Sequence, residues 1–230
     1  MKSNTRVLIV AAHPDDEVLG CGATIAKHTE SGDRVWTIIL GGGVTSRKNL
    51  SDEGKVDALK KLQTSAKESG QILGAEKTVL KDFPDNKFDS VPTLDIVQTI
   101  EEVVEEFKPK IIYSHNPTDV NVDHRLTIEA VEAATRPATK PYVEKVLSFE
   151  VPSSTEWNFT REPFRPNIFV KLSQEQLAKK ISALSKYEQE MRPFPHPRSA
   201  ELINSLAKVR GSQGGFKLAE SFSLIYSRHF

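Results

Sequence analysis

The sequence predicts a Rossmann-like α/β fold: a mostly parallel sheet with helices on both faces, followed by a C-terminal elaboration. Strand and helix patterns alternate at least four times over the first 150 residues, which is typical of parallel strands joined by crossover helices. The first two strand segments are continuously apolar rather than alternating, as expected where both faces of a sheet are covered. We therefore expect a single domain over residues 1–230, with a core to about residue 150 and the elaboration over about 151–230.

The first 80 residues contain three strand patterns and two helix patterns. A run of valine, leucine and isoleucine over residues 6–12 predicts a buried strand, and a helix pattern follows over about 18–29. A second apolar run at 35–40 ends in three glycines, which predicts a strand and a turn. Residues 51–73 carry leucine and alanine at helical spacing and are followed by a glycine stop signal. Residues 78–80 predict a short third strand.

The next 70 residues continue the alternation. Residues 93–107 form the clearest amphipathic helix, because apolar residues recur at helical spacing while four glutamates take the other side. A strand is predicted at 110–114 and a helix at 123–135, for which Asp123 is the predicted N-cap. Residues 146–150 predict a further strand, which completes the core.

Beyond the core the pattern becomes irregular. Residues 153–166 are rich in proline and aromatic residues and predict a loop, followed by a strand at 168–171. A capping box over residues 173–176 opens a helix that continues to about residue 184. Three prolines within 192–197 exclude regular structure and predict a rigid loop. The last helix is predicted over about 200–209 and ends before a glycine.

Composition and charge exclude several classes of partner. Lys plus Arg and Asp plus Glu both number 31, and no long basic block stands apart, so neither nucleic acid nor an anionic membrane is an expected partner. No stretch approaches the roughly 18 apolar residues of a membrane span, and the first apolar run lacks the features of a signal peptide. The single Cys21 agrees with a reducing compartment. We therefore expect a cytoplasmic protein that binds a small molecule.

Two polar clusters follow predicted strands. His13, Asp15 and Asp16 come directly after the first strand, and His124 belongs to a cluster that follows the strand at 110–114. In open α/β sheets the ligand crevice lies outside the carboxyl ends of the strands, so the two clusters should face each other across the topological switch point. A catalytic zinc needs three protein ligands and an open position, and His13, Asp16 and His124 can supply that set. Asp15 then remains free to act as general base.

Each cluster alone has an ordinary structural interpretation. The acids after the first strand could be the first turn of a helix, where the helix dipole favours negative charge. His124 alone could be a capped surface histidine, and Asp123 could be only an N-cap. Three metal-capable groups and a spare carboxylate at two carboxyl strand ends together favour a metal site.

The sequence resembles the LmbE-like, or PIG-L, de-N-acetylase family, whose members cleave N-acetyl groups from N-acetylglucosamine-containing substrates. The resemblance extends over nearly the whole chain, and the segments that carry it are Ala12-His13-Pro14-Asp15-Asp16-Glu17, Gly43-Val44-Thr45-Ser46-Arg47, Pro84-Asp85-Asn86, Asp123-His124-Arg125, His196-Pro197-Arg198-Ser199, Arg210-Gly211 and Ala219-Glu220-Ser221-Phe222. It implies a metal-dependent amide hydrolase in which His13, Asp16 and His124 bind Zn²⁺ or another divalent transition metal and Asp15 is the general base. It also implies an N-acetylated amino sugar or sugar conjugate as substrate, and it is compatible with a homo-oligomer.

One position departs from the family pattern. Some members carry a second histidine three residues before the last ligand, where it helps stabilise the tetrahedral oxyanion, and here that position is Asn121. His196, in the proline-rich loop, is the predicted catalytic substitute, in its own or a neighbouring subunit. Asp123 is predicted to orient its surroundings through hydrogen bonds. The predicted substrate contacts are Arg47, Asn86, Asp119 and Asn121. A structural hydrogen bond for His196 and a solvated loop charge for Arg47 are equally compatible with the sequence.

Three other functions share some of these features. A nucleotide-binding module is suggested by glycines at positions 20 and 22, but Ile25 stands where a dinucleotide fingerprint needs its third glycine. A non-haem Fe(II) oxygenase also uses two histidines and one carboxylate. A non-catalytic carbohydrate-binding or nucleotide-sugar-binding protein would keep the fold alone. Asp15 has no assigned duty in oxygen activation or in binding, so the hydrolase is favoured.

Overall fold

Seven strands form one sheet in the computed structural model, which describes residues 4–43, 51–140 and 142–228. They are β1 (Arg6–Ala11), β2 (Arg34–Gly41), β3 (Lys77–Phe83), β4 (Ile111–His115), β5 (Lys145–Phe149), β6 (Ile168–Lys171) and β7 (Ala219–Ser227). Their order in the sheet is β3-β2-β1-β4-β5-β7-β6. The first five strands are parallel, and β7 runs antiparallel to both of its neighbours. The predicted fold class is therefore confirmed.

Within the described residues, six α-helices cover the sheet: α1 (Asp16–Glu30), α2 (Asp52–Leu73), α3 (Thr93–Phe107), α4 (Val122–Ala134), α5 (Gln174–Leu184) and α6 (Ala200–Gly214). Helices α1, α2, α5 and α6 pack with Val7 and Ile9 on one face of the sheet. Helices α3 and α4 pack with Leu8 and Val10 on the other face. Successive residues of β1 thus enter two different cores, which explains its continuously apolar sequence. None of these helices is long and apolar enough to cross a membrane.

Two elements are longer than their patterns predict. Strand β3 starts at Lys77 and continues to Phe83, beyond the predicted residues 78–80. Helix α6 continues through Gly211 and ends at the left-handed Gly215, rather than near residue 209. A Cβ at position 211 would lie 2.8 Å from the backbone that leads into β7, so Gly211 allows a close approach of two chain segments and does not end the helix. The remaining predicted elements lie within about two residues of their observed bounds.

The sequence does not predict β7. Its nine residues include Glu220 and three serines, which interrupt the apolar pattern expected of a strand inside a sheet. Glu220 is nevertheless buried, because Lys180 of α5 pairs with its carboxylate at 2.6 Å. Through β7, the C-terminal part of the chain is hydrogen-bonded to β5 of the parallel core.

The predicted adjacency of β1 and β4 is confirmed. Strand β1 lies between β2 and β4. The chain adds β2 and β3 on one side of β1, and it adds β4 and β5 on the other side. Helix α1 follows β1 on one face, and α4 follows β4 on the other. This is the topological switch point, where α/β sheets leave a crevice at the carboxyl ends of the strands.

Helix α1 bends at Cys21, whose backbone leaves the helical region (φ −148°, ψ 23°). Two buried side chains bind backbone groups on either side of this bend. Lys180 Nζ donates to the carbonyl of Leu19 at 2.7 Å, and Glu220 accepts from two N–H groups of the next turn at 2.6 and 3.2 Å. The Lys180–Glu220 pair therefore fixes the bend and joins α1 to α5 and β7.

The two glycines of α1 are explained by packing. A Cβ on Gly20 would lie 2.2 Å from the ring of Phe149 in β5, and one on Gly22 would lie 3.1 Å from the side chain of Lys180 in α5. Glycine at both positions allows α1 to approach β5 and α5 closely. The glycines that suggested a nucleotide-binding turn therefore have a structural cause in this chain.

Candidate active site

The first polar cluster occupies the turn between β1 and α1. Asp15 adopts a left-handed backbone conformation (φ 103°), which is rare for a residue with a side chain and is often found at functional sites. Asp16 begins α1, and its Oδ2 accepts a hydrogen bond from the backbone N–H of His13 at 2.9 Å. The turn therefore collects three polar side chains at the carboxyl end of β1.

The second polar cluster lies in the loop from β4 into α4. Asn121 is the N-cap of α4, because its Oδ1 accepts from the backbone N–H of Asp123 at 2.8 Å. The prediction that Asp123 caps this helix is wrong, since position 123 belongs to the first turn and its buried carboxylate contacts His13 instead. His124 follows in the same turn and is also buried.

The structure brings His13, Asp16 and His124 together. His13 Nδ1 and His124 Nε2 each lie 3.2 Å from Asp16 Oδ2, and one ligand atom from each of the three residues lies within 4.8 Å of the others. The side chains are 12%, 1% and 2% exposed, so solvent competes little for these atoms. Two imidazole nitrogens and one carboxylate oxygen form a common donor set of catalytic zinc sites, and the same donors accept other divalent transition metals.

Carboxylates hold the far sides of both imidazoles. His13 Nε2 lies 2.9 Å from Asp123 Oδ2 and 3.2 Å from Asp85 Oδ1. His124 Nδ1 lies 3.3 Å from Asp119 Oδ2. Carboxylates behind histidine ligands fix the tautomer and the orientation of the ring. His13, Asp85 and Asp123 also form a second ligand-type group, but it uses the nitrogen of His13 that faces away from Asp16.

Asp123 and Asp119 are themselves fixed by the protein. Asp123 accepts hydrogen bonds from two backbone N–H groups in the loop after β3, at 2.6 and 3.0 Å. Asp119 is fully buried and accepts from the hydroxyls of Ser154 and Thr155. The orienting role predicted for Asp123 agrees with its contacts. The sugar contact predicted for Asp119 does not, because that carboxylate is occupied by protein partners and faces His124.

His115, at the end of β4, is a further buried histidine that the sequence places in the second cluster without a role. Its ring stacks on that of His124, with 4.0 Å between the centroids, and its Nε2 accepts from the backbone N–H of Ala12 at 2.8 Å. Burial holds the pKa of His115 well below its usual value. A neutral ring whose Nε2 is already bonded supports His124 rather than adding a ligand.

Asp15 is bound by an arginine that the sequence analysis did not single out. Arg198 Nη1 donates to Asp15 Oδ2 at 2.6 Å and to Glu190 Oε2 at 3.1 Å, while its Nε donates to Ser153 Oγ at 2.8 Å. Arg198 stands two residues after His196, directly after the predicted proline-rich loop. The signal in the sequence is the His-Pro-Arg-Ser motif, in which we predicted a role for His196 and not for Arg198.

His196 is not brought into the site. Its ring is exposed, and its Nδ1 accepts from the backbone N–H of Arg198 at 3.0 Å. Within its own chain His196 therefore has the structural role, and a catalytic role in a neighbouring subunit stays a prediction. Arg47 lies outside the described residues.

A cavity of about 560 Å³ lies over the two clusters. The side chains of Asp15, His13, His124 and Arg198 line it. Of the predicted substrate contacts, Asn86 and Asn121 also line the cavity, and Asn121 Nδ2 donates to Asn86 Oδ1 at 3.3 Å. The volume is in the range of small-molecule sites.

Burial and neighbouring charge act in opposite directions on the three metal-type side chains. Burial lowers the pKa of His13 and of His124, but surrounding carboxylates outweigh it and raise the values to about 10 and about 9. Burial raises the pKa of Asp16, but the two imidazoles hold it well below its usual range. Without a metal, these side chains are therefore two imidazolium groups around one carboxylate.

The pKa of Asp15 is shifted in the opposite direction to that of its neighbour Asp16. Burial raises its pKa well above the usual range, and the positive charge of Arg198 only partly opposes this. A carboxylate with a raised pKa is a stronger base, and such groups are common among catalytic acids and bases. The arrangement can thus hold a cation on one side and accept a proton on the other.

A family model and a relative of known name match this chain. A family model described as PIG-L, GlcNAc-PI de-N-acetylase, matches residues 8–135. Diacetylchitobiose deacetylase of Thermococcus kodakarensis is 27% identical over 227 residues, which cover 96% of this chain and 83% of that protein.

Two solved structures show the same fold. The 4-carboxy-2-hydroxymuconate hydratase GalB of Pseudomonas putida KT2440 superposes with a TM-score of 0.79 at 21% identity, covering 98% of both chains. The N,N′-diacetylchitobiose deacetylase of Pyrococcus horikoshii superposes with a TM-score of 0.76 at 20% identity, covering 97% of this chain and 85% of that chain.

Proposed function

The chain belongs to the PIG-L, or LmbE-like, de-N-acetylase family, and on that premise we propose that it is a metal-dependent amide hydrolase. The proposed reaction is hydrolysis of the N-acetyl amide of an N-acetylglucosamine-type amino sugar, free or conjugated, with release of acetate. One observation carries the proposal: the donor atoms of His13, Asp16 and His124 converge within 4.8 Å, and Asp15 lines the same cavity.

His13, Asp16 and His124 are the proposed ligands, and Zn²⁺ is the expected ion. The donor set fits zinc, and it also fits iron, cobalt, nickel or manganese. When bound, such an ion polarises an amide carbonyl and lowers the pKa of a water molecule. The carboxylates behind both imidazoles keep the ring nitrogens aimed at Asp16.

Asp15 is the proposed general base. It takes a proton from the attacking water as the carbon–oxygen bond forms, and it returns that proton to the leaving nitrogen as the carbon–nitrogen bond breaks. Arg198 is the proposed positioning residue, because it binds Asp15 Oδ2 and thereby fixes the carboxylate. Arg198, rather than the predicted His196, is thus the residue of this segment that acts at the site.

Asn121 and Asn86 are the proposed substrate contacts from the second cluster. Asn121 stands where some relatives have a histidine, and its Nδ2 carries two N–H groups. One of them donates to Asn86 Oδ1, so the other can donate to the substrate carbonyl or to a sugar hydroxyl. An amide can supply such a hydrogen bond but not a proton, so Asp15 remains the group that transfers protons.

The fold alone does not decide the reaction, since a hydratase and a deacetylase share it. Family membership and the diacetylchitobiose deacetylase relative favour deacetylation. A hydratase adds water across a carbon–carbon double bond and releases no acetate. An Fe(II) oxygenase consumes oxygen, and a binding protein releases no product.

Acetate release by chelated and by zinc-restored protein tests the proposal. The substrates are N-acetylglucosamine, N,N′-diacetylchitobiose and UDP-N-acetylglucosamine, with the metal content measured on the same sample. Zinc-dependent acetate release from any of them supports the reaction. A protein that binds no divalent ion, or whose acetate release does not depend on one, contradicts it.

A further inference from the structure

A second concave surface lies next to the candidate active site. It is a groove of about 530 Å³ with an apolar lining formed by Val151, Pro152, Trp157, Phe159, Leu202 and Leu206. We name it the aromatic groove. Trp157 is 52% exposed and Phe159 is 85% exposed, which is unusual for side chains that gain so much from burial.

The aromatic groove and the catalytic cavity share a wall. Pro152 lines the groove and Ser153 lines the cavity; in the same way, Pro197 lines the groove and Arg198 lines the cavity. The hydrogen bond from Arg198 Nε to Ser153 Oγ joins the two segments of this wall at 2.8 Å. Because Arg198 also binds Asp15, a substrate at Asp15 lies on the other side of this wall from the groove.

The charged side chains around the aromatic groove are bound within the protein. Arg210 donates to both carboxylate oxygens of Glu150, at 2.7 and 2.6 Å. Glu156 accepts from the backbone N–H groups of Ser153 and Ser154, at 2.6 and 3.1 Å. With these charges used internally, the groove offers a ligand mainly aromatic and aliphatic surface. Such a surface favours an uncharged apolar group and disfavours a charged one.

The size of the groove and its position indicate the occupant. Its volume is within the roughly 300–1,000 Å³ of small-molecule sites. We propose that the aromatic groove binds an apolar substituent, such as an alkyl or aryl aglycone, of the amino sugar whose N-acetyl group lies in the cavity. The identity of the reacting group rests on the proposed function; the apolar site rests on the groove itself.

Kinetics with two matched substrates test the proposal. Methyl and octyl N-acetyl-β-glucosaminide differ only in the length of an apolar chain, and both are used below the micelle-forming concentration of the octyl compound. Because each buried methylene adds favourable transfer free energy, we expect at least a tenfold higher kcat/KM for the octyl glycoside, mainly through KM. In Phe159→Ser and Leu202→Asn this preference should fall below threefold.

A matched control removes exposed apolar surface elsewhere. Leu94 is 61% exposed on α3, which lies on the opposite face of the sheet from α6. Leu94→Ser should keep the wild-type preference for the octyl glycoside. Loss of the preference in this control as well would attribute the effect to general surface adsorption and would overturn the proposal.

Tryptophan fluorescence supplies a readout that does not depend on turnover. The chain has two tryptophans, and Trp36 is 7% exposed and stacked on Phe107 with 4.4 Å between the ring centroids. A ligand-dependent change therefore reports mainly Trp157. In chelated protein, the octyl glycoside should change the fluorescence at a concentration at which the methyl glycoside does not.

The combined outcomes separate this proposal from the proposed function. Acetate release from both glycosides with equal kcat/KM and silent fluorescence overturns the groove assignment and leaves the hydrolase intact. A fluorescence response to the octyl glycoside without acetate release from either compound retains the apolar site and contradicts the hydrolase. If Phe159→Ser converts an oligomer into monomers in sedimentation, the groove is an interface between copies and the aglycone assignment is wrong.

Discussion

Two of the buried groups of charged side chains in the described part of the chain differ in what they face. The Lys180–Glu220 pair closes the bend in α1, with side chains 6% and 7% exposed, while Asp15 in the site is 3% exposed. The pair borders a void of only about 20 Å³. Asp15, His13 and His124 line a cavity of about 560 Å³. Similar burial thus occurs with and without room for a ligand.

The ratio of positive to negative side chains also differs between the buried pair and the site. In the Lys180–Glu220 pair one positive charge meets one negative charge, and the remaining bonds go to backbone groups beside the bend. In the site, carboxylates outnumber the imidazoles they contact, and pKa values move in opposite directions within a few ångströms. A matched pair stabilises the fold, whereas an excess of acceptors beside a cavity suits the binding of a cation. Burial of charge alone does not mark a site.

The largest expected effect concerns Asp15. Asp15→Asn removes the proposed base and should lower kcat about 10²- to 10⁴-fold, up to about 5.5 kcal/mol in the barrier, because a positioned base contributes that much. The metal content should stay at the wild-type value, since Asp15 is not a proposed ligand. Steady-state acetate release and metal analysis check both statements. Asp95→Asn, an exposed position on α3, is the matched control and should behave as wild type.

Retention of wild-type turnover in Asp15→Asn would remove the base assignment. His124→Ala sharpens the distinction, because it should lose the metal together with the activity. If Asp15→Asn also loses the metal, then Asp15 belongs to the ligand set and the two roles are not separate.

The next effect concerns the stability of the matched pair. Lys180→Met leaves Glu220 buried without its cation and should lower the free energy of unfolding by about 3–5 kcal/mol. Lys179→Met removes the neighbouring lysine, which is 43% exposed and pairs with Glu30, and should cost about 0–1 kcal/mol. Urea unfolding of the two variants measures the difference. Equal losses for the two variants would show that the buried pair contributes no more to stability than the exposed one.

A smaller effect, on metal affinity, is expected for Asp123, which contacts the proposed ligand His13. Asp123→Asn weakens the acceptor behind His13 Nε2 and should lower metal affinity about 10- to 100-fold, about 1.4–2.7 kcal/mol. Competition with a chromogenic chelator measures this affinity. The exposed Asp89→Asn in the loop before α3 is the control. An unchanged affinity in Asp123→Asn would indicate that the backbone of the turn alone orients His13.

The features that depend on local sequence pattern, helix bounds and polar clusters at strand ends, could be predicted from the sequence. The bounds of α3 follow from the spacing of its apolar residues, because helical periodicity is a property of consecutive residues. The meeting of His13 with His124 follows from placing two polar clusters at carboxyl ends of strands that pair with each other. Strand pairing turns a separation of more than 100 residues into a contact.

Contacts between distant segments without a shared pattern could not be predicted. Arg198 reaches Asp15 across 183 positions, and nothing in its immediate sequence distinguishes it from His196 two residues earlier. Strand β7 could not be predicted because it contains Glu220. A charged residue in an apolar segment indicates a solvent-facing loop unless its partner, here Lys180, is known. The N-cap of α4 is Asn121 rather than Asp123, since both residue types cap helices and only the backbone geometry separates them.

The last prediction concerns the protons that the site must release. With pKa values of about 10 for His13 and about 9 for His124, both imidazoles are protonated at pH 7, whereas a metal ligand must be neutral. Uptake of Zn²⁺ should therefore release about two protons near pH 7. Its affinity should rise with pH toward about 9, by about 1.4 kcal/mol per released proton and pH unit. Titration calorimetry in two buffers of different ionisation enthalpy counts the protons.

The same raised pKa values fix the sign of the pH dependence of the metal-free fold. The stabilisation from the two imidazolium groups is fully present below their unfolded value of 6.5 and is lost as the pH rises through 9 to 10. Metal affinity and metal-free stability should thus change in opposite directions over this range. Lys180→Met should release the same number of protons as wild type, because its pair takes no part in metal uptake. Identical heats in the two buffers would mean that the imidazoles are neutral without metal, and the excess of carboxylates would then not distinguish the site from the matched pair.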